Sequence, residues 1–357
     1  MHEWRAQPWR TIYFAYQGLL TVFVHIPWLI ITNLPHSRRP TLASRSPNAT
    51  GNILNCPTHR TLIAGPGFTA LWLDPSSSPT FLLGRVAQWA AAAGASAHPQ
   101  WLMGKHQRGL LAYVPGVRRV LAVEYRLTDL SPGSVPEAER HPFPTALLDA
   151  LTGLDYLLSV VGFAMEDIIV VGDSAGANLS LALARHLAEN VKDLHARLPE
   201  KFPSPAEVPR YHLVLLSAWS DVGTFHAGPG TSAGRNVHDY LVDTFQGPLG
   251  EASRQFPGPL GVEAAARNEY ISPASKEIEV SFKGFPPTLI EVGDMDRFYD
   301  MVATLRQRMV RDIGEGRGGV RYFEAKGAIY DHLLFPFDEP EDVAVLEAIG
   351  NWVGASD

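Results

Sequence analysis

The feature that most constrains the fold of this chain is a sharp turn predicted between a strand and a helix. Asp167–Val171 is dominated by Ile and Val, which is typical of a strand buried on both faces. Residues 172–176 read GDSAG, and Ala175–Glu189 then has a helical pattern. The chain must bend tightly to pass from strand to helix within these residues. We therefore expect Ser174, at the centre of the turn, to stand in a strained conformation above the sheet.

Apolar runs of strand length alternate with helical patterns through the rest of the chain. The predicted strands are Arg119–Tyr125, His212–Leu216, Thr288–Val292 and Val320–Glu324. The predicted helices are one on which Leu147, Leu151, Leu154 and Leu158 share a face before a left-handed cap at Gly162, one over Phe298–Ile313, and one that begins at Pro340. This alternation predicts an α/β fold with a mostly parallel central sheet and helices on both faces.

The composition of the chain changes along its length and suggests three parts. Residues 1–40 form a membrane-anchor or cap segment, residues 41–60 a polar linker, and residues 61–357 the α/β domain. Residues 221–275 are rich in Gly and Pro and interrupt the strand–helix rhythm, so we expect them to form a cap over the strand ends.

The first part contains a long stretch without charged side chains. Thr11–Leu34 holds no Lys, Arg, Asp or Glu, and its 24 residues exceed the ~20 that a bilayer span needs. A single membrane anchor over residues 11–34 is therefore predicted, which would make the protein membrane-associated, with the ER as a candidate membrane. A helix lying in the membrane interface and a cap helix of a cytoplasmic enzyme are the alternatives.

Charge and cysteine content exclude several classes of protein. The net charge of −7 argues against non-specific binding of nucleic acid, which needs a basic face. Cys56 is the only cysteine, so the chain has neither an internal disulfide nor a cluster of thiolate metal ligands. We predict no metal and no organic cofactor. The sequence does not determine the oligomeric state.

The GDSAG turn predicts a nucleophilic serine. In a G-x-S-x-G turn the first and last glycines, here Gly172 and Gly176, let strand and helix pack closely, and Asp173 and Ala175 flank the serine. Ser174 would be the nucleophile. The N–H of Ala175, at the helix N-terminus, would point at a developing oxyanion.

A serine at neutral pH needs a base to take its proton and a carboxylate to orient that base. In this architecture the acid and the base follow the serine in that order. His332 follows the last predicted strand by a short loop and is the predicted base. Asp296 follows the strand before it and is the predicted acid, with Asp300 and Asp294 as alternatives.

Together with two flanking stretches, this turn resembles the hormone-sensitive-lipase-like branch of the α/β-hydrolases, close to fungal members that are esterases or lipases. The matching text runs from Arg119 to the C-terminus and includes Glu124-Tyr125-Arg126-Leu127, His141-Pro142-Phe143-Pro144 with Ala146 and Asp149, and Phe285-Pro286-Pro287-Thr288. The resemblance implies an α/β-hydrolase fold, ester hydrolysis and an acid at Asp296. A role in fungal secondary metabolism is compatible with it.

One expected feature of the family is missing. The family carries a His-Gly-Gly-Gly-type loop whose backbone N–H groups complete the oxyanion hole, and its place here would be the junction Gly94–Ala95. Gly65-Pro66-Gly67-Phe68 is the one glycine-rich substitute, and it lies too early in the chain. Loss of a single oxyanion donor typically lowers turnover about 10²–10³-fold. We therefore expect this chain to be a poor esterase relative to its family.

The leading prediction is a serine hydrolase that cleaves a small-molecule carboxylic ester through an acyl-enzyme. One alternative is a non-catalytic or weakened member that binds a ligand, as the gibberellin receptors of the same fold do; the missing loop favours it and the intact triad residues oppose it. Another alternative is acyl transfer or amide hydrolysis by the same three residues.

Overall fold

A computed structural model of the chain describes residues 83–92, 121, 123, 125–128, 140–202, 204, 207, 211–241, 248–334 and 341–354, together with three strands before them. Those strands are β1 (Ile53–Cys56), β2 (His59–Ile63) and β3 (Thr69–Leu73). They form an antiparallel sheet in the order β1-β2-β3, with Thr61 opposite Leu54 on one side and Leu71 on the other. Strand β1 and the first residues of β2 thus lie within the stretch 41–60 that was predicted as a linker.

The second sheet is parallel and has the order β4-β5-β6-β7. Its strands are β4 (Ile169–Asp173), β5 (His212–Leu216), β6 (Thr288–Gly293) and β7 (Val320–Ala325). The four strands agree with four of the five predicted ones to within two residues at either end. The predicted parallel α/β fold is therefore confirmed.

Helices precede, connect and follow these strands. In chain order they are α1 (Gly84–Ala92), α2 (Thr145–Asp155), α3 (Ala175–Glu189), α4 (Val191–Arg197), α5 (Ser232–Arg235), α6 (Pro248–Gln255), α7 (Ala264–Arg267), α8 (Tyr299–Ile313) and α9 (Glu341–Gly354). Helix α2 continues into a π-helical turn over Tyr156–Val161, which ends at Gly162 with φ 89°. The left-handed cap predicted at Gly162 is confirmed.

Side chains alternate between the two faces of the parallel sheet, and helices cover both. On β5, Leu213 and Leu215 join the large core, which also contains residues of α2, α3 and α8. Val214 and Leu216 belong to the smaller core on the opposite face, where Trp352 of α9 packs. Because successive side chains of a strand point to opposite faces, this division shows which helices lie on which side of the sheet.

Strand β4 differs from the prediction that it is buried on both faces. Its residues Ile169, Val170 and Val171 are half-buried, whereas β6 is buried throughout. Within the described residues β4 pairs with β5 alone, so its outer edge has no strand beside it. The predicted strand Arg119–Tyr125 does not supply one, because its described residues, 121, 123 and 125, belong to no strand.

The residues just after that stretch are tied to α2 by an ion pair. The guanidinium of Arg126 donates to both oxygens of Asp149, with Nη2 2.7 Å from Oδ1 and Nε 3.0 Å from Oδ2. The backbone N–H of Arg126 donates to Oδ2 as well, at 3.0 Å. Asp149 is fully buried, and these bonds supply the partners that a buried carboxylate needs. The two residues therefore connect two of the stretches that carry the family resemblance.

The segment predicted as a cap is largely irregular where it is described, with α5, α6 and α7 as its helices. Two contacts fix its first part to α8. The His226 ring lies between the Asp221 carboxylate, 2.7 Å from Nδ1, and the Thr304 hydroxyl, 3.0 Å from Nε2. The Ser232 N–H donates to Asp300 at 2.8 Å.

Three sequence predictions lie outside the described residues. They concern the stretch 11–34, the glycine-rich residues 65–68 and the junction 94–95. In the part of the chain that the structure describes, no helix combines the length and apolarity that a membrane span requires.

Candidate active site

Ser174 stands in the strained turn that the sequence predicts. Its φ of 55° and ψ of −114° are unusual for a residue with a side chain, and it lies between the end of β4 and the first residue of α3. Its N–H donates to the carbonyl of Leu216 at 2.9 Å, and its own carbonyl accepts from the N–H of Trp219 at 3.2 Å. Hydrogen bonds to the end of β5 therefore hold the turn in place on both sides of the serine.

The two glycines of the turn have different roles. A Cβ on Gly172 would lie 2.3 Å from the carbonyl oxygen of Gly176 and 2.5 Å from Ser180 Oγ, so strand and helix approach too closely for any side chain there. A Cβ on Gly176 would meet no described atom within 4 Å. The steric reason expected for both glycines is thus present at Gly172 and absent at Gly176.

Two more residues with side chains have positive φ near the same end of the sheet. Ser217 follows β5 with φ 41°, and Asp331 lies in the loop after β7 with φ 48°. They are linked, because the Asp331 N–H donates to Ser217 Oγ at 3.2 Å, and the Ser217 N–H donates to the Glu291 carbonyl at 3.1 Å. Such strain persists only where surrounding contacts impose it, and it is typical of functional sites.

The three candidate acids are distinguished by their surroundings. Asp294 accepts from the N–H of Gly327 at 2.7 Å and so fastens the loop after β7. Asp300 accepts from Ser232 and from Arg235, whose Nη2 is 3.1 Å from Oδ1, and so fastens the cap segment. Both carboxylates therefore stabilise loops by accepting hydrogen bonds. Their contacts favour Asp296 as the orienting acid.

Asp296 is fully buried. Its Oδ1 accepts from the N–H of Phe298 at 2.7 Å, and its Oδ2 makes no hydrogen bond of normal geometry to a described residue. Burial raises the pKa of Asp296 well above its usual range, although the Phe298 N–H and the nearby Ser217 hydroxyl oppose this rise. Oδ2 of Asp296 is therefore the oxygen that could accept a hydrogen bond from another group at the rim of the sheet.

His332 is also fully buried, and it pairs with a carboxylate that the sequence analysis did not identify. Its Nε2 lies 2.9 Å from Oε1 of Glu291, which is itself 1% exposed. Glu291 is in the fourth position of β6, where its neighbours along the strand are apolar and buried. The sequence could have pointed to Glu291, because a glutamate within an apolar, buried strand requires a hydrogen-bond partner.

Tyr330 is the second residue that the sequence analysis missed. Its hydroxyl is hydrogen-bonded to Ser174 Oγ. Its ring packs against Phe298, with centroids 5.2 Å apart, and against Tyr240 at 5.6 Å. Burial, helped by the charge of Asp331, raises the pKa of Tyr330, so the phenol stays protonated at neutral pH. The sequence could have pointed to Tyr330, because it lies two residues before the predicted base His332.

The predicted residues thus meet at one end of the sheet but do not form one relay. Ser174, Asp296 and His332 follow β4, β6 and β7 at their carboxyl ends, where parallel α/β sheets build their sites. Among the described residues, Ser174 Oγ is hydrogen-bonded to Tyr330 and His332 Nε2 to Glu291. Ala175 is the first residue of α3, a position where N–H groups lack acceptors within the helix. The roles of these four residues remain predictions.

We expect the two glycines to respond oppositely to an added methyl group. Gly172→Ala should lower the free energy of unfolding by at least ~1–3 kcal/mol, because the backbone must move to relieve the clash. Gly176→Ala should leave it unchanged or raise it by ~0.5–1 kcal/mol, since Ala is favoured over Gly in a helix. Urea unfolding of both variants measures the difference. Equal effects would mean that strand and helix do not cross as described.

Comparison with known proteins agrees with this geometry. Residues 116–330 match the protein family with the alpha/beta hydrolase fold. An esterase of Acinetobacter venetianus is 30% identical over 178 residues, which are 48% of each chain. A triacylglycerol lipase of Mycobacterium tuberculosis is 27% identical over 195 residues, covering 50% of this chain and 40% of the lipase. The matches therefore span less than half the length of either relative.

Solved structures show a shared fold. A hormone-sensitive lipase from a metagenome library has a TM-score of 0.52 and 19% identity, covering 84% of this chain and 87% of that one. Esterase E25 has a TM-score of 0.51 and 20% identity, covering 81% of this chain and 75% of that one. At these identities the two structures show the α/β-hydrolase fold alone, and the likeness to fungal members remains a prediction. Because the family match covers more than half of the residues and the parallel sheet carries the strained serine turn, the chain belongs to the α/β-hydrolase fold family.

Proposed function

We propose that this chain is a serine hydrolase that cleaves a carboxylic ester through an acyl-enzyme. One observation carries the proposal: Ser174 is held with positive φ where β4 meets α3, at the rim where the loops of Asp296 and His332 also lie. Membership of the α/β-hydrolase fold family and the similarity to an esterase and a triacylglycerol lipase support it.

In the proposed reaction Ser174 Oγ attacks the ester carbonyl carbon while His332 takes the serine proton. The electrons of the C=O bond move to the carbonyl oxygen, and the Ala175 N–H stabilises that charge. The tetrahedral intermediate then collapses, the C=O bond re-forms, and the leaving alcohol receives the proton from His332. Water attacks the acyl-enzyme by the same sequence and releases the acid and free Ser174.

His332 Nε2 must leave Glu291 if it is the nitrogen that takes the serine proton, as it is in the Ser-His-Asp template. In that template Nδ1 of the same ring donates to the orienting acid. We propose that Asp296 is the acid in the reactive arrangement, because its buried carboxylate has an oxygen without a well-formed hydrogen bond. Glu291 is the alternative acid, since it already touches the ring.

The surroundings of Ser174 favour an ester with a small or medium acyl group. Trp219 and Phe298 stack with an interplanar angle of 10°, and both are largely buried near the serine turn. Tyr240, in the cap segment, is half-open to solvent and contacts Tyr330. These aromatic side chains suit an uncharged acyl chain, and we propose that it enters beneath the cap. We propose a role in fungal secondary metabolism on the strength of the sequence resemblance to fungal members alone.

A second candidate function is ligand binding without turnover, and two observations favour it. The sequence lacks the family's oxyanion loop, and His332 pairs with Glu291 instead of with Ser174. Acyl transfer is a further alternative to hydrolysis, because an alcohol can replace water at the acyl-enzyme. Measured turnover with and without added alcohol separates the three.

The assignment of the nucleophile is tested by covalent labelling. A fluorophosphonate probe should label the wild-type chain at Ser174, since it reacts with an activated serine. Ser174→Ala should be unlabelled and should lose hydrolysis of p-nitrophenyl butyrate. Ser180→Ala, in the second turn of α3, serves as the control and should still be labelled. Labelling that survives Ser174→Ala would place the nucleophile elsewhere.

The two candidate acids are tested by amide substitutions of equal size. If Asp296 orients His332, Asp296→Asn should lower kcat by up to ~10⁴-fold, because an amide cannot stabilise the imidazolium. Glu291→Gln should then lower kcat less than ~10-fold. The reverse order would make Glu291 the orienting acid and leave Asp296 with a structural role. Both kcat values are measured with p-nitrophenyl butyrate.

We also propose that residues 11–34 anchor the protein to a membrane, on the strength of their uncharged sequence alone. Removal of residues 1–36 should move the protein from the membrane pellet to the supernatant after cell lysis. A full-length chain that stays in the supernatant without detergent contradicts the proposal.

A further inference from the structure

We propose that the Tyr330 hydroxyl is a catalytic residue that donates a hydrogen bond to the oxyanion during ester cleavage. This inference rests on the proposed function and adds to it a side-chain donor where the family uses backbone N–H groups. In this proposal the Tyr330 hydroxyl supplies one of the oxyanion hydrogen bonds that the missing glycine loop would otherwise donate.

The position of Tyr330 is the first support. Its hydroxyl donates to Ser174 Oγ, the atom that attacks the ester. The ring is 9% exposed and packs between Phe298 and Tyr240, with centroids 5.2 and 5.6 Å away. Contacts on two sides hold the ring, so the hydroxyl is preorganised at the reacting atoms before substrate binds.

The need for a donor is the second support. A tetrahedral intermediate carries a full negative charge on the former carbonyl oxygen, in a site that excludes water. Ala175, as the first residue of α3, can offer one N–H. The sequence has no His-Gly-Gly-Gly loop to offer others. Tyrosine hydroxyls are among the side chains that can take this part in an oxyanion hole.

The movement of charge explains how one hydroxyl can serve both oxygens. Before attack, the Tyr330 hydroxyl donates its hydrogen bond to Ser174 Oγ, which carries the growing negative charge as His332 removes the serine proton. After attack, Oγ is an ester-type oxygen and the charge is on the carbonyl oxygen, which is bonded to the same carbon. Because a hydrogen bond to a charged acceptor is about twice as strong as one to a neutral acceptor, the donor shifts to the oxyanion. Tyr330 keeps its proton throughout, and the C=O bond re-forms when the alcohol leaves.

The protonation state of Tyr330 separates this role from that of a base. The hydroxyl that is hydrogen-bonded to Ser174 Oγ is a neutral phenol, which holds a proton to donate, whereas a general base must have a basic lone pair to accept one. Burial also raises the pKa of Tyr330, which keeps the phenol neutral and able to donate at the pH of the reaction. The base therefore remains His332, and Tyr330 contributes to stabilisation of charge.

The test compares Tyr330→Phe with wild type in the full chain. The variant keeps the ring and its contacts and loses the hydroxyl. Its kcat for p-nitrophenyl butyrate should fall about 10²–10³-fold, while the end-point stoichiometry of fluorophosphonate labelling at Ser174 stays the same. Tyr322→Phe is the matched control, because it removes a hydroxyl that contacts Glu324 at 3.2 Å on β7, and its kcat should match that of wild type.

A second measurement detects the donor directly. A trifluoromethyl ketone labelled with ¹³C at the carbonyl forms a hemiketal with Ser174, and its chemical shift reports the pKa of the hemiketal hydroxyl. A donor to the oxyanion lowers that pKa, so Tyr330→Phe should raise it, whereas a merely structural role would leave it unchanged. Equal or higher kcat in Tyr330→Phe, with Ser174→Ala inactive, would overturn the inference and leave the proposed function intact. An active Ser174→Ala would overturn the proposed function itself.

Discussion

The close crossing of β4 and α3 is the contact on which the rest of the site depends. A Cβ at Gly172 would lie 2.3 Å from the Gly176 carbonyl oxygen, so the strand and the helix touch through their backbones. That approach forces the intervening Ser174 to positive φ and lifts its side chain above the sheet. It also makes Ala175 the first residue of the helix, where an N–H remains available to a developing negative charge.

Hydrogen bonds connect the strained turn at Ser174 to the neighbouring loops along the rim of the sheet. The end of β5 holds the backbone of Ser174, Ser217 bonds to β6 through Glu291, and Asp331 bonds to Ser217. Non-glycine residues with positive φ occur at three of these positions. The loops that carry Asp296 and His332 are thereby set against the serine turn, and their buried polar groups must find partners among one another.

In the described arrangement the serine and the histidine each have a hydrogen-bond partner, but they are not bonded to each other as the proposed reaction requires. Two hydrogen bonds, from Tyr330 to Ser174 and between His332 and Glu291, occupy the groups that the proposed reaction needs. The His332–Glu291 bond is buried and the Tyr330–Ser174 bond is part-buried, so both lie where hydrogen bonds are strong and unpaired groups are costly. In the proposed reaction His332 removes the proton of Ser174 while Tyr330 still donates to Oγ. The Tyr330 hydroxyl shifts to the oxyanion only after the attack has formed it.

The sequence by itself determined the strands and helices of the parallel sheet, the strained serine turn and the order of Ser174, Asp296 and His332, because Ile/Val runs, helical spacing and turn glycines are local properties. Only the tertiary structure decided that no described atom crowds Gly176, that β4 is half-buried, and that Tyr330 contacts the serine and Glu291 the histidine. These facts depend on which residues meet across 41 to 156 positions of chain, and no local pattern encodes such meetings.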